Sequence, residues 1–171
     1  MHGARVAVVE RPGDHAGEEA DAAVTATPGC VLAVQVADCA PVALVGTNVI
    51  GVAHAGWRGV LAGVLPATVA AMRALGADEI RAVVGPCIHA ECYEFQGDEL
   101  DRIADLLGDH VRATTSAGTP ALDVVAAVRA SLDQAAVTDV EVIDVCTACS
   151  TDHWSFRARG EAQRQAVVAW M

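Results

Sequence analysis

The chain has 171 residues, 53% of them hydrophobic and 19% charged, which fits one globular domain with a sizeable core. Its 11 Lys and Arg residues stand against 22 Asp and Glu, a net charge of −11 with no basic cluster, so nucleic acid and an anionic membrane surface are poor partners. No apolar run approaches the ~20 residues of a membrane span, and the start Met1-His2-Gly3-Ala4-Arg5 lacks signal-peptide form, so the expected compartment is the cytoplasm.

In chain order, Ala4 to Glu10 reads as a strand and Arg11 to Glu19 as an exposed polar loop. Ala22 to Ala26 and Val31 to Ala37 read as strands around the turn Thr27-Pro28-Gly29. Val42 to Val45 and Val49 to Val52 form a hairpin about Gly46-Thr47-Asn48. The spacing predicts a helix over Val60 to Leu75, closed by Gly76. A strand follows over Glu79 to Val84, then an acidic amphipathic helix over Gly97 to Leu107. Leu122 to Ala135 reads as a helix with Asp123 as its cap, Val140 to Val145 as a strand and Ala166 to Trp170 as a closing strand. Several strands before the first helix, then alternation, predict a mixed sheet rather than a regular βαβ winding. No internal repeat, linker or low-complexity segment occurs.

Two apolar runs end in reactive side chains. Val36-Ala37-Asp38-Cys39-Ala40-Pro41 closes one, and Val52-Ala53-His54-Ala55-Gly56-Trp57-Arg58-Gly59 closes the other. Taken alone, Trp57 is a core anchor, His54 a satisfied buried histidine and Arg58 a surface charge. The hairpin between the two segments, however, returns His54 toward Cys39. Such a pair serves either as a thiolate nucleophile with an imidazole base or as two ligands of a zinc site. Asp38 can orient a ligand or act as a base, or be a turn carboxylate on local amides.

A third dense segment, Gly85-Pro86-Cys87-Ile88-His89-Ala90-Glu91-Cys92-Tyr93-Glu94-Phe95, follows the strand ending at Val84. The six cysteines are expected to be reduced. Cys146-Thr147-Ala148-Cys149 is a C-x-x-C pair, redox-active or half of a zinc knuckle, but no second such pair exists to complete it. Cys87 and Cys92 lack the spacing for that partner role, although a fold can still bring them there. Cys30 and Cys146 read as small buried apolar side chains.

Together, Ala37-Asp38-Cys39-Ala40-Pro41, His54-Ala55-Gly56-Trp57-Arg58-Gly59, Gly85-Pro86 with Cys92-Tyr93-Glu94, Leu122-Asp123, and Cys146-Thr147 with Ser155-Phe156-Arg157 resemble the multicopper polyphenol oxidoreductase, or laccase-domain, family. That family is also described as purine nucleoside phosphorylases and includes a peptidoglycan editing factor. The resemblance implies an α/β fold of the α+β type, with two packed mixed β-sheets flanked by helices, similar to the toxin-deamidase fold. It implies a zinc ion held by His2, Cys39 and His54, with copper the less favoured metal, and phosphorolysis of purine nucleosides with an adenosine deaminase side activity. The implied partners are a purine nucleoside and phosphate, on a monomer or small homo-oligomer. One residue precedes His2 here, where the family has several tens. The expectation is therefore a single domain over 1–171 that lacks the family's N-terminal strands.

Within that reading, Cys39, His54, Arg58 and Asp38 are the candidate catalytic residues. Arg58, beside a helix start, is the first candidate for holding phosphate, with Arg157 and Arg164 behind it. Tyr93, Phe156 and Trp57 are candidate stacking surfaces for the base. Two alternatives use the same sequence differently: a Cys-His amidase with Cys39 as nucleophile and His54 as base, for example in cell-wall precursor editing, and a truncated nucleoside-binding protein of low activity. A laccase needs about ten ligands with several His-x-His pairs. This chain has six histidines and no such pair.

Overall fold

The computed structural model describes residues 3–171. Five strands come before any helix: β1 (Val6–Val8), β2 (Ala22–Thr25), β3 (Val31–Val36), β4 (Ala40–Gly46) and β5 (Val49–Ala55). After them run α1 (Trp57–Leu61), α2 (Val64–Ala74), β6 (Arg81–Val84), α3 (Asp98–Leu107), β7 (Arg112–Thr114) and β8 (Pro120–Leu122). The chain closes through α4 (Val124–Gln134), β9 (Val140–Val142), α5 (Phe156–Arg159) and β10 (Gln165–Trp170). Six strands form one sheet in the order β1-β2-β5-β4-β6-β9. It is mixed, because β1 runs parallel to β2 and β9 parallel to β6, while the central pairs are antiparallel. A second layer is the antiparallel pair β3-β10, and β7-β8 make a small hairpin.

The sequence patterns explain these positions. Along β3, Leu32, Val34 and Val36 are buried while Val31, Ala33 and Gln35 face outward, the period-two signature of a strand with one covered face. That covered face, with Val9, Cys30, Ile50 and Val52, makes a small core between the ribbon and the main sheet. In β5 all residues but His54 are buried, and in β4 Ala40, Pro41, Val42 and Leu44 are, because the centre of the sheet is covered on both sides. The larger core lies on the helical side, where Val42, Leu44 and Ala53 meet Leu65 and Met72 of α2 and Val128 and Leu132 of α4.

The helix expected from Val60 to Leu75 is two helices. Gly63 sits at φ 79°, in the left-handed region, and breaks the run between α1 and α2. Pro66, two residues into α2, occupies the first turn, where a missing N–H costs nothing. Asp123 caps α4 as expected, its Oδ1 accepting a 2.8 Å bond from the Ala126 amide. The strand expected from Val140 to Val145 stops at Val142, and beyond it the chain runs on beside the segment after β6 through an isolated bridge between Cys87 and Cys146. No helix of the described residues is long and apolar enough to cross a membrane.

Leu44 is fully buried at the centre of the sheet, so Leu44→Ala should lower the unfolding free energy by about 2–5 kcal/mol in urea titration. The half-exposed neighbour Val45→Ala should cost well under that.

Candidate active site

The β4-β5 hairpin sets the site's floor. Its register pairs Ala40 with Ala55 and Pro41 with His54, so Cys39, just before β4, meets the end of β5 at one end of the central strands. Gly56 shows how close the meeting is. A Cβ at that position would lie 2.7 Å from Cys39 Sγ and 3.7 Å from His54 Nε2. Both donor atoms therefore face the same small space, and only glycine leaves it open.

Burial, and behind it the charge of Asp38, push the Cys39 thiol up to about 11, with Arg164 opposing in part. A nucleophilic cysteine needs the thiolate near neutral pH, which usually means a cationic surrounding that lowers its pKa. Cys39 has the opposite environment. A bound cation would ionise it, since metal binding drives the proton off a ligating thiol. A thiol and an imidazole converging in this way suit zinc, whose common donors they are. The third expected donor, His2, lies outside the described residues.

Asp38 is half-buried and is not a local turn carboxylate. Its Oδ1 accepts hydrogen bonds from Thr147 Oγ at 2.8 Å and Ser155 Oγ at 2.7 Å, and its Oδ2 accepts one from the Arg157 amide at 2.7 Å. Its backbone carbonyl accepts a fourth from the Ile88 amide at 2.9 Å. These donors lie far along the chain, so the carboxylate hangs the 147–157 segment over the end of β4. The segment is also tied to itself. Arg159 donates to the carbonyls of Ala148, Thr147 and His153 and pairs with Glu161 at 3.0 Å, whose carboxylate accepts the Ser155 amide. Gln165 Nε2 donates to the Ala37 carbonyl at 2.6 Å, which fastens β10 beside the same turn.

The result is a cleft of about 350 Å³ lined by Asp38, Cys39, His54, Trp57, Tyr93, Phe156, Arg157 and Arg164, with Gln35 to Ala37 at one side. Its size is that of a small-molecule site. Of the expected site residues, Cys39, His54, Asp38, Tyr93, Phe156 and Arg157 come together here. Arg58 is not among the lining residues. It is exposed, its guanidinium lies 4.3 Å from the centre of the Trp57 ring, and α1 has only five residues, too few for a strong helix dipole. The cations at the cleft are instead Arg157 and Arg164.

The Tyr93 ring carries the Arg157 guanidinium at 4.8 Å and packs on Phe95 at 5.5 Å, so it supports Arg157 rather than offering an open face. Burial first, then the Cys39 charge, raise its phenol pKa, and it stays protonated at neutral pH. Phe156 is 62% exposed at the cleft, with Arg164 at 5.9 Å from its ring. Trp57 packs edge-on against Phe95 at 5.3 Å, part of the wall. Arg164, a secondary phosphate candidate from the sequence, also lines the cleft, and Thr147 and Ser155, which the sequence offered only as parts of motifs, complete the arrangement.

A mixed sheet with a Cys-His pair at the edge of its central hairpin, roofed by a loop carrying Ser155-Phe156-Arg157, defines the class of protein. The chain belongs to the multi-copper polyphenol oxidoreductase laccase family, whose profile matches residues 1–171. It is 44% identical over 176 residues to a purine nucleoside phosphorylase of Streptomyces coelicolor, covering all of this chain and 72% of that protein. It is 35% identical over 173 residues to adenosine deaminase RL5 of an unknown prokaryotic organism, covering 91% of this chain and 65% of that protein. Among solved structures, the hypothetical protein YfiH of Bacillus licheniformis superposes with a TM-score of 0.87 at 30% identity, covering 98% of this chain and 70% of that one.

In Asp38→Asn the side-chain amide would point an N–H at a donor in place of an acceptor, leaving one of three bonds unmade. A loss of about 1–3 kcal/mol in unfolding free energy is expected, with hydrogen exchange rising in residues 147–157.

Proposed function

We propose that this chain is a zinc-dependent purine nucleoside phosphorylase, converting adenosine or inosine and phosphate to the free base and ribose 1-phosphate, with adenosine deamination as a side activity. The observation that carries the proposal is the convergence of Cys39 Sγ and His54 Nε2 on the space at Gly56, inside a nucleoside-sized cleft that holds two guanidinium groups. The names of the Streptomyces and RL5 relatives support both halves of the activity.

In this reading His2, Cys39 and His54 hold the metal, which supplies a Lewis acid and keeps Cys39 as its thiolate. Phosphorolysis forms a bond from a phosphate oxygen to C1′ as the bond from C1′ to the base breaks. The electron pair of that bond leaves with the base, which takes a proton at a ring nitrogen. Arg157 and Arg164 hold the phosphate, since guanidinium groups match its oxygens and offset their charge. Phe156 is the open aromatic face for the purine. Tyr93, kept protonated, is a hydrogen-bond donor toward the base. Asp38 acts as a positioning residue, because its carboxylate is already occupied in fixing Thr147, Ser155 and Arg157.

The amidase alternative draws no support from a Cys39 thiol held at about 11. The two readings also part in solution, because zinc should protect Cys39 from alkylation whereas an activated nucleophile would react readily.

Cys39→Ala should lose zinc from the purified chain and lower phosphate-dependent release of hypoxanthine from inosine by at least about 100-fold, followed by elemental analysis and product chromatography. Arg157→Ala should raise KM for phosphate by about 10- to 100-fold, the worth of one hydrogen bond to a charged group, with a smaller effect on KM for the nucleoside.

A further inference from the structure

The C-x-x-C pair that the active site leaves unused is not alone in the fold. Cys146 and Cys149 lie on the turn after β9, and the 3₁₀ turn Ala90–Cys92 brings Glu91 and Cys92 against them. The ligand atoms of Glu91, Cys92, Cys146 and Cys149 all lie within 4.8 Å of one another, and Cys92 Sγ is 3.3 Å from Cys149 Sγ. Zinc–thiolate bonds of about 2.3 Å at the tetrahedral angle place sulfurs about 3.8 Å apart, so the four atoms need move little to share one ion.

Two further features suit a ligand cluster better than a chance grouping. The His89 amide donates to Cys146 Sγ at 3.4 Å, the kind of bond that stabilises a thiolate. The His89 ring sits 3.7 Å from the Glu91 carboxylate and 3.9 Å from that of Asp144, where it can orient the oxygen ligand from outside. Backbone bonds already hold the two segments in register: the Cys87 amide donates to the Val145 carbonyl and the Thr147 amide to the Cys87 carbonyl. Cys87 itself is outside the cluster, buried as a core side chain.

We propose that Glu91, Cys92, Cys146 and Cys149 form a second, structural zinc site, separate from the Cys39-His54 centre. Three thiolates select a thiophilic ion, and the carboxylate favours divalent zinc over cuprous copper. Four protein ligands close the coordination shell, which makes the site structural rather than catalytic. Its position gives it a task. Cys92 precedes Tyr93, which carries Arg157, and Cys146 precedes Thr147, which is bound to Asp38. The ion therefore staples two walls of the cleft together from behind.

The test removes the active-site donors first, so that its result stands whether or not the catalytic reading does. The full-length Cys39→Ala/His54→Ala protein, purified with zinc and dialysed, should retain about one zinc per chain by elemental analysis. After exchange with cobalt it should show the intense thiolate-to-cobalt charge-transfer absorption. Cys149 is exposed, so Cys149→Ser on that background should fold, as cooperative unfolding will show, yet lose both the zinc and the absorption. Hydrogen exchange should then rise at residues 90–93 and 146–150. A folded double variant free of zinc would overturn the proposal, as would retention of zinc after Cys149→Ser. So would a mass showing a Cys92–Cys149 disulfide in protein purified anaerobically with zinc, which would make the pair a redox couple instead.

Discussion

The Asp38 carboxylate is the contact on which the site depends. It lies one residue before Cys39, and its two oxygens take three donors from a segment more than a hundred positions away. Without it, the loop bearing Phe156 and Arg157 loses its three side-chain and amide ties at the start of β4 and keeps only its flanking ones, through Gln165 to Ala37 and Thr147 to Cys87. Hydrogen bonds to a charged acceptor are the stronger kind, and leaving such a group unpaired is costly. The same residue also shapes the chemistry beneath it, since its charge adds to burial in holding Cys39 as a thiol. Local structure, roof and the state of the Cys39 thiol thus meet in one side chain.

Division of labour follows from topology. The central hairpin is buried on both faces and therefore rigid, and it places Cys39 and His54 with little freedom. The groups that would meet substrate, Phe156, Arg157 and Arg164, come from exposed chain near the C-terminus. Rigid Cys39 and His54 below and exposed cations above join a fixed centre to an adaptable rim.

What could be read from the sequence was what short-range physics decides. The hairpin was legible from two apolar runs about Gly46-Thr47-Asn48, and with it the approach of His54 to Cys39. Asp123 was legible as a cap because capping is local. The break at Gly63 was missed because the apolar spacing continues through it, and Pro66, a start signal, was read as part of one helix. Arg58 drew attention by lying next to a glycine turn, but cation–π stacking on its own neighbour Trp57 turned it elsewhere. Asp38 was flagged for the right position and the wrong partners, since Thr147 and Ser155 are joined to it only by the tertiary fold. Cys92 likewise lacks C-x-x-C spacing, and only the 3₁₀ turn at Ala90–Cys92 delivers it to Cys146 and Cys149.

The most direct test of the account is to follow the phosphorus. With the zinc-loaded wild-type chain, inosine and inorganic phosphate, 31P NMR should show the phosphate signal replaced by that of ribose 1-phosphate, in step with the release of hypoxanthine. If hypoxanthine appears with free ribose and the phosphate signal stays unchanged, or if inosine is left intact while zinc is bound, the cleft at Cys39 and His54 is not a phosphorolytic centre.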